Sequence, residues 1–296
     1  MPYRIHPACT APTDVNCLIW RYMDFEKFLS LIDKSALYFP RLDKLSKVDP
    51  YEGHFTHVNA MIGNEEITLF DQLKHQVIAH IDKEKKRMIE VDNKSFEDTE
   101  DWGKKKYEDD KINIDLIALA HREIPRAVLN DRNKIFVHSW HMQEYESAAM
   151  WSLYAKYSNG IAIVSTYNDL VQSVLDNQDY IVYIGIVNYI DYRKDHIPVK
   201  NMLSPFLYKR KSFEHEKELR ALIHVRKYDE YDRPIDTDQN INGIYVNVNL
   251  NELIKIIYIS PTAEEWIVDL IKSILKKYNL NPLVFHSDLQ SSAPIY

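Results

Sequence analysis

Only six glycines occur among 296 residues, and their placement excludes more folds than any other feature of the chain. Gly53, Gly63, Gly103, Gly160, Gly185 and Gly243 lie too far apart to build a G-x-G-x-x-G turn or a P-loop. A phosphate cradled by a glycine-rich loop at a helix N-terminus is therefore not expected. Tyrosine is abundant instead, with 20 copies, and rings with a polar tip suit strands and half-polar clefts. The two cysteines, Cys9 and Cys17, cannot build a disulfide framework, which predicts a reducing, cytoplasmic setting. The opening "MPYRIHPACTAP" lacks the apolar stretch of a secretory leader, and no apolar run reaches the roughly 20 residues that span a bilayer. No membrane partner is expected. A net charge of -7 argues against general nucleic-acid binding, although a local basic groove stays compatible with it.

Apolar periodicity divides the chain into short strands and helices. "CLIWRY" (17–22) reads as a buried strand. Residues 24–35 form a helix capped by Asp24, and 36–42 a strand stopped by Pro40. Asp49-Pro50-Tyr51-Glu52-Gly53 reads as a turn. A long helix is predicted over 64–90, with Phe70, Leu73, Val77, Ile81 and Met88 on one stripe. The charge-rich stretch 93–111 reads as an exposed loop, and a further helix over 113–123 ends before Pro125. Strands follow at 134–140, 161–166, 180–190, 218–226, 243–250 and 254–260, with helices at 146–157 and 167–176. A helix opening at Ser260-Pro261 and a strand at 282–286 complete a β-α-β unit. The expectation is a single α+β domain over 1–296, with a mixed sheet flanked by helices and a mainly helical insertion at about 54–133.

Familiar catalytic signatures are missing from the sequence. No H-E-x-x-H, Cys/His cluster or G-x-S-x-G elbow is present, so neither a zinc site nor a serine hydrolase is expected. His138 and His141 stand three apart on a strand and so point to opposite faces. The informative segment is "SFEHEKELRAL" (212–222). If its strand begins by Glu216, Glu216, Glu218 and Arg220 share one face while Leu219, Ala221 and Ile223 anchor the other; Glu214 stays in solvent.

Arg21 ends the first strand, Ser139 lies in a middle one and Glu218 begins a later one. In that chain order the three resemble the R-S-E arrangement of ADP-ribosyltransferases. The resemblance implies NAD as a substrate, with Arg21 on its phosphates, Ser139 at the nicotinamide ribose, Glu218 catalytic and Glu216 its helper. Tyr22, Trp140 and Tyr154 would stack on nicotinamide, and Glu52, Arg210, Lys211 and Arg220 would meet the substrate, the two adjacent cations through phosphate. Loss of nicotinamide passes through an oxocarbenium-like state, which a carboxylate in a desolvated pocket stabilises. The acceptor, a nucleic acid or a protein, stays open.

Several longer segments are similar to a largely bacterial family catalogued as domain of unknown function 2971. They are "LIWRYMDFEKFLSLIDKSALYFPRLDKL", "VDPYEG", "HSWHMQEYESAAMWSLYAKYSNGIAIV", "KRKSFEHEKELRALI" and "ISPTA". Val48 stands where that family has an asparagine before Asp-Pro. The resemblance implies a role in phage defence or toxin-type conflict and brings little established chemistry. Two alternatives remain: a metal-dependent nuclease using Asp49, Glu52, Glu216 and Glu218 with magnesium, and a non-catalytic sensor or binding module in which the same groups form an ion-pair network.

Overall fold

The computed structural model describes residues 3–47, 49–63, 69–154, 159–175, 180–225, 227–228, 234–235 and 241–290. The fold is α+β. By compactness the chain divides into one unit of 1–53, 131–190 and 206–296, and a second of 54–130 with 191–205. The strands in chain order are β1 (Leu18–Met23), β2 (Ala36–Pro40), β3 (Ile135–Met142), β4 (Ile161–Thr166), β5 (Val182–Ile186), β6 (Asn188–Ile190) and β7 (Tyr208–Arg210). They continue with β8 (Glu218–His224), β9 (Lys227–Tyr228), β10 (Pro234–Ile235), β11 (Gly243–Asn247), β12 (Ile256–Ile259) and β13 (Leu283–His286). The helices are α1 (Phe25–Lys34), α2 (His57–Ile62), α3 (Leu69–Glu90), α4 (Phe96–Asp131), α5 (Ala148–Tyr154), α6 (Tyr167–Ser173), α7 (Leu250–Leu253) and α8 (Glu265–Lys277).

The first unit is built on a mixed sheet in the order β13-β12-β4-β1-β3-β8-β5. Its pairs are antiparallel except β12 with β13, which α8 connects as a β-α-β unit. One sheet face carries Ile19, Phe136, Ile163, Leu219 and Ala221 into the main core. Helix α1 adds Phe28 and Ile32 to that core, and α8 adds Ile267 and Ile271. The Asp24 carboxylate accepts from the Lys27 amide and fixes the start of α1. The paired strands β2 and β11 contribute Leu37, Phe39, Ile244 and Val246. On the opposite sheet face, Trp20 and Tyr22 of β1 pack with Met150, Trp151, Ala162 and Val164.

The second unit contains an antiparallel pair of helices. Phe70 of α3 meets Tyr107 of α4 edge-on, and Ile81 lies near Gly103. Of the predicted stripe, Phe70, Ile81 and Met88 are buried and Leu73 and Val77 half-buried. The expected start of that helix at 64–68 lies outside the described residues. The exposed loop expected at 93–111 is corrected: from Phe96 onward the segment belongs to α4. The Ser95 hydroxyl accepts from the Asp98 amide to cap it, and Lys106 pairs with Asp110 one turn on. Composition alone registers the charges and misses their helical spacing. Nor does the helix end before Pro125; the proline lies inside α4.

Smaller corrections follow the backbone. The strand expected over 180–190 breaks at Val187, whose amide donates to the Glu218 carbonyl. Pro261 lies in a turn, and α8 begins at Glu265. The end of the helix expected at 155–157, with Tyr157, and the strand end at 226 fall outside the described residues.

Candidate functional site

Strand β8 starts at Glu218, as the expected 218–226 strand does, and not by Glu216. Lys211–Glu216 form a 3-10 turn, and Lys217 takes the left-handed conformation, with φ 39°. Leu219, Ala221 and Ile223 then enter the main core, and Glu218 and Arg220 take the other face. Glu216 therefore does not share their strand, which corrects the expected register. It reaches the same place from the turn, because the left-handed residue between them redirects the chain. Glu214 is exposed, as expected.

Around Glu218 the buried polar groups form one network. Ser139 Oγ donates to Glu218 Oε1 at 2.5 Å, and Arg220 Nε donates to the same oxygen at 2.7 Å. Arg220 Nη1 reaches Glu52 Oε1 at 2.6 Å and the Phe206 carbonyl at 2.7 Å. Lys209 Nζ lies 3.2 Å from Glu218 Oε2 and also pairs with Glu216. The Tyr154 hydroxyl donates to Glu216 Oε1 at 3.2 Å. Burial disfavours the Glu218 charge, but Arg220 and Lys209, with the hydrogen bonds from Arg220 and Ser139, outweigh it and hold the carboxyl below its ordinary range. Burial likewise opposes the charge on Lys209, and Glu218, Glu216 and Glu52 more than offset it. Three carboxylates, Glu52, Glu216 and Glu218, thus face two cations, Lys209 and Arg220, and the network keeps one negative charge.

The network forms one wall of a cleft of about 230 Å³. Among the described residues β1 and β3 pair only at Ile19↔Met142 and Trp20↔His141, whereas β1 pairs with β4 along its full length. Where the β1–β3 ladder stops, the Arg21 side chain crosses the gap and Nη1 donates to the Ser139 carbonyl at 2.6 Å. Arg21, Ser139 and Glu218, on three neighbouring strands, consequently line one cleft. Arg21 makes no ion pair among the described residues. Burial lowers its pKa from the ordinary arginine value, partly offset by Tyr154, Glu218 and Asp24. A guanidinium desolvated beside a neutral carbonyl retains capacity for an anion.

The other expected residues divide between the cleft and its surroundings. Tyr22, Trp140 and Tyr154 line it, and so do Glu52, Glu216 and Arg220. Tyr22 also accepts from the Ser147 amide, and Trp140 is deeply buried against His138. Tyr154 is 45% exposed, which leaves its ring reachable; burial and Glu216 push its hydroxyl up to about 12. Arg210 and Lys211 are not in the lining. Arg210 is held by Asp49 at 2.7 Å and stacks between Tyr51 and Phe213, and Lys211 is exposed at the start of the 3-10 turn. Of the run 209–211, Lys209 is the residue that lines the cleft. The alternation of a short strand separates it from Arg210, but nothing marked Tyr208–Arg210 as a strand. His141 also lines the cleft, while His138 packs on the core side near Phe39. This matches the opposite faces expected for them.

The four carboxylates considered for magnesium are all engaged by cations: Asp49 meets Arg210, Glu52 meets Arg220, Glu216 meets Lys209, and Glu218 meets both Lys209 and Arg220. Among the described residues no three His, Cys, Asp or Glu side chains are grouped to hold a metal ion. No described helix is long and apolar enough to cross a membrane. No family model, curated protein or solved structure matches the chain.

Proposed function

We propose that the chain is an ADP-ribosyltransferase-like, NAD-consuming enzyme acting at the Arg21–Ser139–Glu218 cleft. The observation that carries this reading is the Arg21 guanidinium, which lines the cleft without a carboxylate partner among the described residues, beside a hydrogen-bonded Ser139–Glu218 pair. A diphosphate supplies the anion that Arg21 lacks. Glu218, held ionised, and the net negative charge of its network favour a positive charge developing at the ribose carbon as neutral nicotinamide departs. Glu216, fixed by Lys209 and Tyr154, supports that field from the turn. The exposed ring of Tyr154 offers nicotinamide a stacking surface. Arg220 and Glu52 position Glu218 more than they bind the substrate, because each is already occupied inside the network.

Incubation with NAD labelled in either half, alone and with protein and nucleic-acid acceptors, tests the reading. Wild type should release nicotinamide, and Arg21→Gln and Glu218→Gln should each lower turnover about a hundredfold or more. Turnover retained in both folded variants, or a wild type that neither binds nor consumes NAD, contradicts it.

A further inference from the structure

His141 stands on β3 opposite Trp20 of β1 and Glu218 of β8, and it borders the cleft. Its Nδ1 lies 2.5 Å from the Glu216 backbone oxygen. A carbonyl oxygen only accepts, so Nδ1 carries the proton and Nε2 presents a lone pair. His141 is 7% exposed, and its buried Nε2 has no hydrogen-bond partner among the described residues. A buried acceptor left unmet costs stability, whereas a ligand that donates to it recovers the interaction. Tyr22 of β1 stands edge-on to the ring, Glu218 lies across β8, and His215, Glu216 and Lys217 approach from the turn. Burial is the largest influence and lowers the imidazole pKa; Lys217 and His215 add to it, and the Glu216 carbonyl and carboxylate oppose it.

Resting on the reading above, we propose that His141 Nε2 is the general base of the transfer step and that the acceptor is a neutral O–H or N–H group. The bond between the ribose carbon and nicotinamide breaks with its electron pair going to the nicotinamide nitrogen, which leaves neutral. The acceptor lone pair forms the new bond to that carbon. The acceptor proton passes to His141 Nε2, and the imidazolium then releases it to solvent. A cationic amine acceptor has no lone pair to offer, and a carboxylate has no proton to give; neither uses this base.

The test compares wild type with His141→Asn, whose amide retains a donor for the Glu216 carbonyl, and with His141→Ala in the presence of added imidazole. Transfer by wild type should fall on acidification as Nε2 protonates. His141→Asn should lose that acidic limb and transfer about a hundredfold or more slowly. Its affinity for NAD, read by calorimetry, should change less than threefold. Imidazole should restore transfer to His141→Ala. A His141→Asn profile matching wild type in rate and pH dependence overturns the proposal and leaves the NAD reading standing. Absence of NAD binding by wild type overturns both. Where a variant does not fold, 15N spectra of histidine-labelled wild type decide instead: a neutral Nδ1–H ring at pH 7 supports the assignment, and an Nε2–H ring or an imidazolium overturns it.

Discussion

Arg220 is almost wholly buried and depends on Glu52 and Glu218 for its charge balance. Removing Glu52 breaks a buried, hydrogen-bonded ion pair and leaves a guanidinium donor without its acceptor in a low-dielectric interior, although Glu218 stays in place. Glu52→Ala should therefore lower stability by about 3–5 kcal/mol, read as a fall in the urea midpoint with the slope unchanged. His138 makes a second residue-level prediction. Its Nδ1 meets the Tyr38 carbonyl at 2.9 Å, and burial, with Arg21 adding to it, lowers its pKa to about 3. An unfolded histidine takes up a proton near pH 6.5. Its contribution is thus complete above that pH and is lost as pH falls toward 3, at a slope approaching about 1.4 kcal/mol per pH unit. His138→Asn keeps a donor for Tyr38 and lacks the titration. The stability gap between wild type and this variant should shift in the variant's favour from pH 7 to pH 5; a constant gap counts against the assignment. Glu218 acts with the same sign at lower pH, since its depressed pKa confers stability above the ordinary carboxylate range that is lost on acidification.

At the scale of elements, two backbone points set the cleft wall. Lys217, left-handed, lets Glu216 and Glu218 both address Lys209. Gly53, at φ +71°, closes the turn that presents Glu52; a Cβ there would stand 2.8 Å from Leu42 and 2.9 Å from Phe206. Gly53→Ala should cost about 2 kcal/mol or more, combining left-handed strain with overpacking. Calorimetric melting would register it as a lower transition temperature. The alternation of Leu219, Ala221 and Ile223 against Glu218 and Arg220 was legible in the sequence, because a strand has a period of two. So were the opposed faces of His138 and His141. The adjacency of β1, β3 and β8 was not, since pairing across 77 residues or more leaves no local trace in composition. Lys209 was hidden for a related reason: a three-residue strand is too short to display alternation. The long helix α4 was obscured because a run of charges looks the same in a loop and on a solvated helix face until its i,i+4 pairs are counted.

At the scale of the molecule, the second compact unit draws on two stretches of chain, 54–130 and 191–205. Asn59 ties them together. Its Oδ1 accepts from the Ile197 amide at 2.9 Å, and its Nδ2 donates to the Ile197 carbonyl at 2.8 Å. Asn59→Ala leaves both buried backbone groups unmet, at about 1–3 kcal/mol each. Hydrogen exchange should then quicken around Ile197 while β3 and β8 keep their protection. Equal acceleration in those strands would show that the two units unfold together.

The Glu52–Arg220 contact also has a bearing on inheritance. The two residues stand 168 positions apart and compensate one buried charge. A lineage that alters either alone passes through a protein with a severed ion pair in its interior. A recombination event between them imports one half of the pair without the other. Positions 52, 218 and 220 should thus be exchangeable only as a set, and chimaeras joined anywhere between 53 and 217 should fold only when both parents supply the same charges at the three sites.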